Sequence, residues 1–351
     1  MVNFLEIIRS KKPYDVDLQK ILLDFANQFL KWKTLSQKTA FSKEYTMQAP
    51  FLLSNSYESI IIRNSFNYVA RFLVTHKYNK NDASAISQTR ARVGYEMLKR
   101  WSGFNFVDRQ ALIDVYTDAT SFLTKLISHE IVLDEAHMMS LFRYCSFLGK
   151  LDYVSASLKS KIKNLNGYLT NDKYLKDLSN LTKVFQNNFL NSRFFKKTGI
   201  TYNAEFGLGG SALFFVEGNM LCDGNLIEIF TSKNFQNKNL ELMQIAGQYL
   251  ANETTREAVR LFPKGFAPKM KALKQTMYDI RKLVLYHGRF GEIEYADVSK
   301  IPELELRKFT HKIIRWSKLR YELEALKDEL VRDSLSNDST QVPTKAPSKL
   351  N

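Results

Sequence analysis

The spacing of apolar positions divides the chain into a long helical stretch followed by a shorter region with strand character. From residue 15 to about residue 190, apolar side chains recur every three or four positions, as expected of helices that bury one face. Leu18, Leu22, Phe25 and Phe29 trace the first such face, and Asp15 is placed to cap it. Ile61, Ser65, Tyr68 and Phe72 trace a second over residues 58–78, where Arg63, Arg71 and Lys77 add charge. Further helices are expected over 83–101, 107–129, 135–150 and 173–190. Aromatic residues at this spacing are read as core, because the helical period turns them inward.

Near residue 200 the period changes. Residues 211–217 (SALFFVE) and 219–232 (NMLCDGNLIEIFTS) read as two strands, with Asp223-Gly224-Asn225 as a turn inside the second stretch. Helices are expected over 238–251 and 267–280. The segments 282–288 and 291–299, separated by Arg289-Phe290, read as a strand pair, and a long charged helix is expected over 302–332. The polar tail that follows is too poor in apolar residues to fold by itself. The expected class is α+β: a helical region over 1–195, a mixed-sheet α/β core with its C-terminal helix over 196–333, and a disordered tail over 334–351.

Composition narrows the functional classes. With 44% hydrophobic and 25% charged residues, the chain is an ordinary globular sequence, long enough at 351 residues for a sizeable core. It has no run of eighteen uncharged apolar residues, and its first residues do not follow the secretory-signal pattern, so a cytoplasmic protein without a membrane partner is expected. Cys145 and Cys222 lie far apart and the five histidines are scattered singly, which argues against a disulfide framework or a structural zinc site. A formal charge of +15 makes nucleic acid the leading partner. A lysine-rich proteome would raise the same count, so charge alone does not settle the partner.

The chemistry-bearing stretch runs from Glu217 to Lys233. Glu217 and Asn219 lie on one strand, and Glu228 and Phe230 lie two positions apart on the next, where period-two alternation gives both the same face. This stretch resembles the Asp-Ala-Asp-Leu-Ile, turn, Leu-Ile-Asp-Ile-Lys-Thr-Thr-Lys segment of a bacterial and archaeal branch of the PD-(D/E)XK nuclease superfamily, related to RecB-type nucleases. Gln244-Ile245-Ala246-Gly247 resembles the Gln-Leu-x-Gly of that branch's next helix, and His287 to Gly291 resembles its Arg-Tyr-Gly or Arg-His-Gly hairpin. Upstream, Ser65 to Phe72 resembles its helical Ala-Phe-Asp-Tyr-Leu-Leu-Arg-Phe.

The resemblance implies a restriction-endonuclease-like core in which two carboxylates hold Mg²⁺ and a lysine activates the attacking water. The departures fall on that chemistry. Glu228 keeps the second acid, but Phe230 stands at the lysine position and Asn219 where an aspartate is expected; Gln248 replaces a tyrosine of the helix. Phenylalanine donates no hydrogen bond, and asparagine is a neutral, weaker ligand.

Three readings follow. The preferred one is a nucleic-acid-binding pseudonuclease, which the resemblance sets in genome-maintenance, mobile-element or phage-defence contexts. The second is a divergent nuclease, with Mg²⁺ as cofactor only in that case, held by Glu217 and Glu228, and with Lys233 replacing the lysine. Lys233 follows Glu228 by an odd separation, however, which directs it to the opposite face of a regular strand. The third is a protein-interaction subunit that uses only the scaffold. Lys264, Lys269, Lys271, Lys274 and Arg289 are candidates for backbone phosphate contacts, although a lysine-rich helix face is also simply well solvated. Gly207-Leu208-Gly209-Gly210 lacks the Lys-Ser/Thr of a phosphate-cradling loop and is not read as one.

Overall fold

The computed structural model describes residues 4–52, 56–78, 82, 84–87, 90–103, 105–156, 173–195, 199–233, 238–261 and 276–318. Helices α1 (Phe4–Ile7) and α2 (Pro13–Phe29) lead to a short edge strand, β1 (Lys33–Thr34). Next come α3 (Ser56–Tyr78), α4 (Ser84–Ser87), α5 (Arg90–Lys99), α6 (Phe106–Ile127), α7 (Glu135–Ala156) and α8 (Lys173–Asn188). The second half runs β2 (Ile200–Glu205), α9 (Gly207–Ala212), β3 (Glu217–Cys222), β4 (Asn225–Phe230), α10 (Lys238–Leu261), β5 (Lys282–His287), β6 (Glu292–Asp297) and α11 (303–318).

The six strands form one mixed sheet in the order β1-β6-β5-β4-β3-β2, which makes the chain an α+β protein with a helical N-terminal region. Among the described strands only β4 and β5 are parallel, with Ile227 opposite Val284 and Phe230 opposite His287; the long connection between them carries α10. The β3–β4 hairpin turns at Asp223-Gly224, both at positive φ, where glycine relieves the clash a side chain would meet.

Strand alternation sorts the core onto the two faces of the sheet. Ile227, Ile229, Val284 and Tyr286 join a cluster with α3, α7 and α8, while Leu226, Phe230, Leu283 and Leu285 join a second with α2, α10 and α11. A sheet covered by helices on both faces explains why β4 reads as a nearly continuous apolar run. Glu228 shares parity with Leu226 and Phe230 and so points under α10.

Several expectations are corrected. Residues 211–217 are not a strand: Gly207 to Ala212 form α9, and Phe214 and Phe215 both take positive φ, which breaks an extended conformation despite their apolar character. The sheet instead takes β2, whose alternating Ile200, Tyr202 and Ala204 are buried. Gly209 is needed because a Cβ there would lie 1.9 Å from the Ala251 carbonyl oxygen, so α9 rests directly on α10. The first long helix starts with Pro13 at its N-terminal turn, and Asp15 lies buried within that turn rather than capping it. The helix expected over 83–101 is two helices, α4 and α5. That expected over 267–280 falls largely outside the described residues, and 277–280 are not helical. Residues 319–351, including the rest of the 302–332 helix and the tail, also lie outside them.

Candidate functional site

Glu228 is the centre of the site. It is 4% exposed and its carboxylate is surrounded by donors from the protein itself. Gln244 and Gln248, one turn apart on α10, donate through Nε2 to Oε2 at 2.8 Å and to Oε1 at 2.7 Å. The Asn219 backbone N–H donates to Oε1 at 3.0 Å, so the side chain of β4 takes up a backbone group of β3. Burial pushes the Glu228 carboxyl up from the usual range, and the Gln248 and Asn219 hydrogen bonds together with Arg63 and Arg90 pull it back.

Glu217 begins β3 where the two helical layers meet. Arg90, at the start of α5, donates to Glu217 Oε2 through Nε at 3.1 Å and Nη2 at 2.9 Å. From the other layer, Gln248 Nε2 donates to the Glu217 carbonyl at 2.9 Å. Next to this pair lies Asp152 of α7, whose Oδ2 accepts from the Tyr68 hydroxyl at 3.2 Å. Burial pushes Asp152 up, against the pull of Arg90, Tyr68, Arg63 and Arg71. Sequence reasoning missed Arg63, Arg90, Asp152 and Gln248 as site residues. Only the helical pattern around Arg63 and the glutamine at 248, where the resembled helix carries tyrosine, were visible, since Arg90 and Glu217 are 127 positions apart.

The remaining candidates lie elsewhere. Phe230 is 7% exposed in the apolar cluster beneath α10, its ring centroid 6.2 Å from that of His287. Lys233 Nζ lies 5.4 Å from the ring centroid of Phe51, which belongs to the opposite face. Arg289 is completely buried: its guanidinium makes two 2.8 Å bonds to Asp177 and another to the Thr231 carbonyl, so it is not available to a phosphate. Lys264, Lys269, Lys271 and Lys274 lie outside the described residues.

Beside Phe230 is a second buried polar group. His287 Nε2 lies 3.2 Å from Glu294 Oε2, and Glu294 Oε1 accepts from the Tyr45 hydroxyl at 2.6 Å and the Phe41 N–H at 2.5 Å. Glu241, in the first turn of α10, accepts from Ser232 Oγ at 3.4 Å through Oε1, while its Oε2 has no hydrogen-bond partner. Burial is the main reason its carboxyl is pushed up to about 7; Glu294 adds to the shift, and His287 opposes it.

The residues present do not fit the magnesium ion that the resemblance implies. Among the described residues, no three His, Cys, Asp or Glu side chains come together as a metal-holding group. Three donors already fill most of the acceptor capacity of Glu228, and Arg90 occupies Glu217 Oε2. A divalent cation would also meet guanidinium charge at Arg63 and Arg90. Comparisons with family models, curated proteins and solved structures match nothing. Among the described residues, no helix is long and apolar enough to cross a membrane.

Proposed function

We propose that this chain binds nucleic acid on a PD-(D/E)XK nuclease-like frame and does not cleave it. The observation that carries this reading is the environment of Glu228. The acid is in the expected relation to β3 and to Gln244 of the following helix, but protein donors engage it, and Phe230 fills the lysine position inside an apolar cluster. With phenylalanine at the lysine position and both acids engaged by protein donors, the arrangement lacks the parts that metal-assisted hydrolysis needs. The surplus of 51 Lys+Arg over 36 Asp+Glu supports a polyanionic partner.

The test has two arms on the full chain. Labelled DNA and RNA oligonucleotides should remain intact with Mg²⁺ or Mn²⁺, and should bind with an affinity that falls steeply as salt rises. Divalent-dependent cleavage by the wild type that disappears in Glu228→Gln overturns the pseudonuclease reading. Absence of salt-sensitive binding overturns the nucleic-acid reading.

A further inference from the structure

We infer that Arg63 and Arg90 form a metal-independent binding site for a phosphodiester of single-stranded nucleic acid, with a neighbouring base stacked on Phe215. This deepens the function proposed above and rests on it. Arg63 projects from α3 and makes no hydrogen bond or ion pair among the described residues. It is half-buried, and the charges near enough to act on it are Arg9, Asp152, Glu228 and Arg90. A guanidinium left unpaired beside two others is costly unless an anion joins it.

The local charge balance points the same way. The arginines that act on this group of charges, Arg9, Arg63, Arg71 and Arg90, outnumber its carboxyls, Asp152, Glu217 and Glu228, by four to three. Burial pushes Asp152 and Glu228 toward their neutral forms, which widens the positive excess. Arg71 is 4% exposed, with Nε and Nη1 lacking hydrogen-bond partners, so it contributes field rather than contact. Arg63, by contrast, is partly open, and the Arg90 side chain is 47% exposed. Two accessible guanidinium groups suit a phosphate, which accepts paired N–H donors, and they supply the positive charge that a metal and lysine would otherwise bring.

Phe215 selects the strand state. It lies two residues before Glu217 and is 62% exposed, and both it and Phe214 have positive φ. Two successive non-glycine residues in the left-handed region are strained, and the second gains no burial from it. An aromatic face held in solvent two residues from the Glu217 that Arg90 holds is suited to grip unpaired bases, whereas a duplex keeps its base faces stacked.

Fluorescence anisotropy of a labelled oligothymidine and of a duplex of equal length, both in EDTA, tests the inference. The wild type should bind the single strand without divalent metal. Arg63→Gln and Arg90→Gln should each weaken that binding about tenfold, with Arg63→Lys restoring part of the loss. Phe215→Ala should weaken the single strand about tenfold and leave the duplex unchanged. Arg90 and Phe215 are exposed, so their variants remain informative even if Arg63→Gln fails to fold. If the wild type binds but Arg90→Gln and Phe215→Ala bind equally well, this site is wrong while the proposed function stands. If EDTA abolishes binding, or a polyglutamate peptide competes as well as unlabelled oligonucleotide, the metal-free phosphodiester assignment is wrong. If no oligonucleotide binds at all, both fall.

Discussion

Replacing Glu241 by glutamine should stabilise the protein at neutral pH and leave it almost unchanged in mild acid. Glu241 is 3% exposed, receives one long hydrogen bond from Ser232, and has an Oε2 without a partner, so the fold favours its protonated form. The groups acting on it besides Ser232 are His287, which favours ionisation, and Glu294, which opposes it. Its carboxyl moves from an ordinary 4.5 to about 7 on folding. Between those values the unfolded chain has released a proton that the folded chain retains, so stability falls as pH rises through the interval. At about 1.4 kcal/mol per unit, the whole shift amounts to ~3 kcal/mol lost by neutral pH. Glutamine resembles the protonated acid and does not titrate.

Urea unfolding of wild type and Glu241→Gln from about pH 5 to about pH 8 reads this directly, because titrations common to both proteins cancel in the difference. The variant should gain progressively, reaching an advantage of ~3 kcal/mol at the upper end. Two stability curves that run parallel across the range would show that Glu241 does not retain its proton on folding, and the reasoning from burial would be wrong.

Three further outcomes follow from the same structure. Asp177→Asn leaves the fully buried Arg289 guanidinium without its carboxylate and should cost ~3–5 kcal/mol in denaturant titration; a cost near zero would mean the pair is solvated. Glu228→Leu orphans the amides of Gln244, Gln248 and Asn219, so it should be less stable than Glu228→Gln by ~3 kcal/mol, whereas equal stability would remove the structural role given to that acid. The double change Phe230→Lys with Asn219→Asp should produce Mg²⁺-dependent cleavage only if phosphate still reaches Glu228, as gel analysis of oligonucleotide substrates reads; when that protein folds, intact substrate means the pocket has closed around phenylalanine.

How much of this was legible in the sequence depended on the range of the interactions involved. The long helices were visible because their apolar period is local: α3 and α6 agree with the expected segments to within two residues at each end. The β5–β6 pair and the turn at Asp223-Gly224 were equally local. The stretch 211–217 misled because a run of Leu213, Phe214, Phe215 and Val216 has strand composition, while the positive φ values that break it leave no signature in phenylalanine. β2 carried its alternation in Ile200, Tyr202 and Ala204 but offered only six residues of it. Arg289 looked like a phosphate contact because an arginine in a tight hairpin is normally exposed; its partner Asp177 lies 112 positions away and has no local cue.

The same contrast of range separates Glu228 from Phe230, two positions further along β4. Its hydrogen bonds come from Asn219 across the hairpin and from the next helix, so the acid is tied into the elements on either side of β4. Removing it would leave three donors without an acceptor in a dry interior. Phe230 has no such ties: its neighbours are the His287 ring and an apolar cluster, where an ammonium would lose hydration. Phenylalanine at that position adds apolar burial and avoids that desolvation cost. The acid is therefore held by the architecture, whereas a lysine at position 230 would not be. A buried acid tied into such a network is thus weak evidence for activity, and the arginines arriving from α3 and α5 say more about the charge this site can hold.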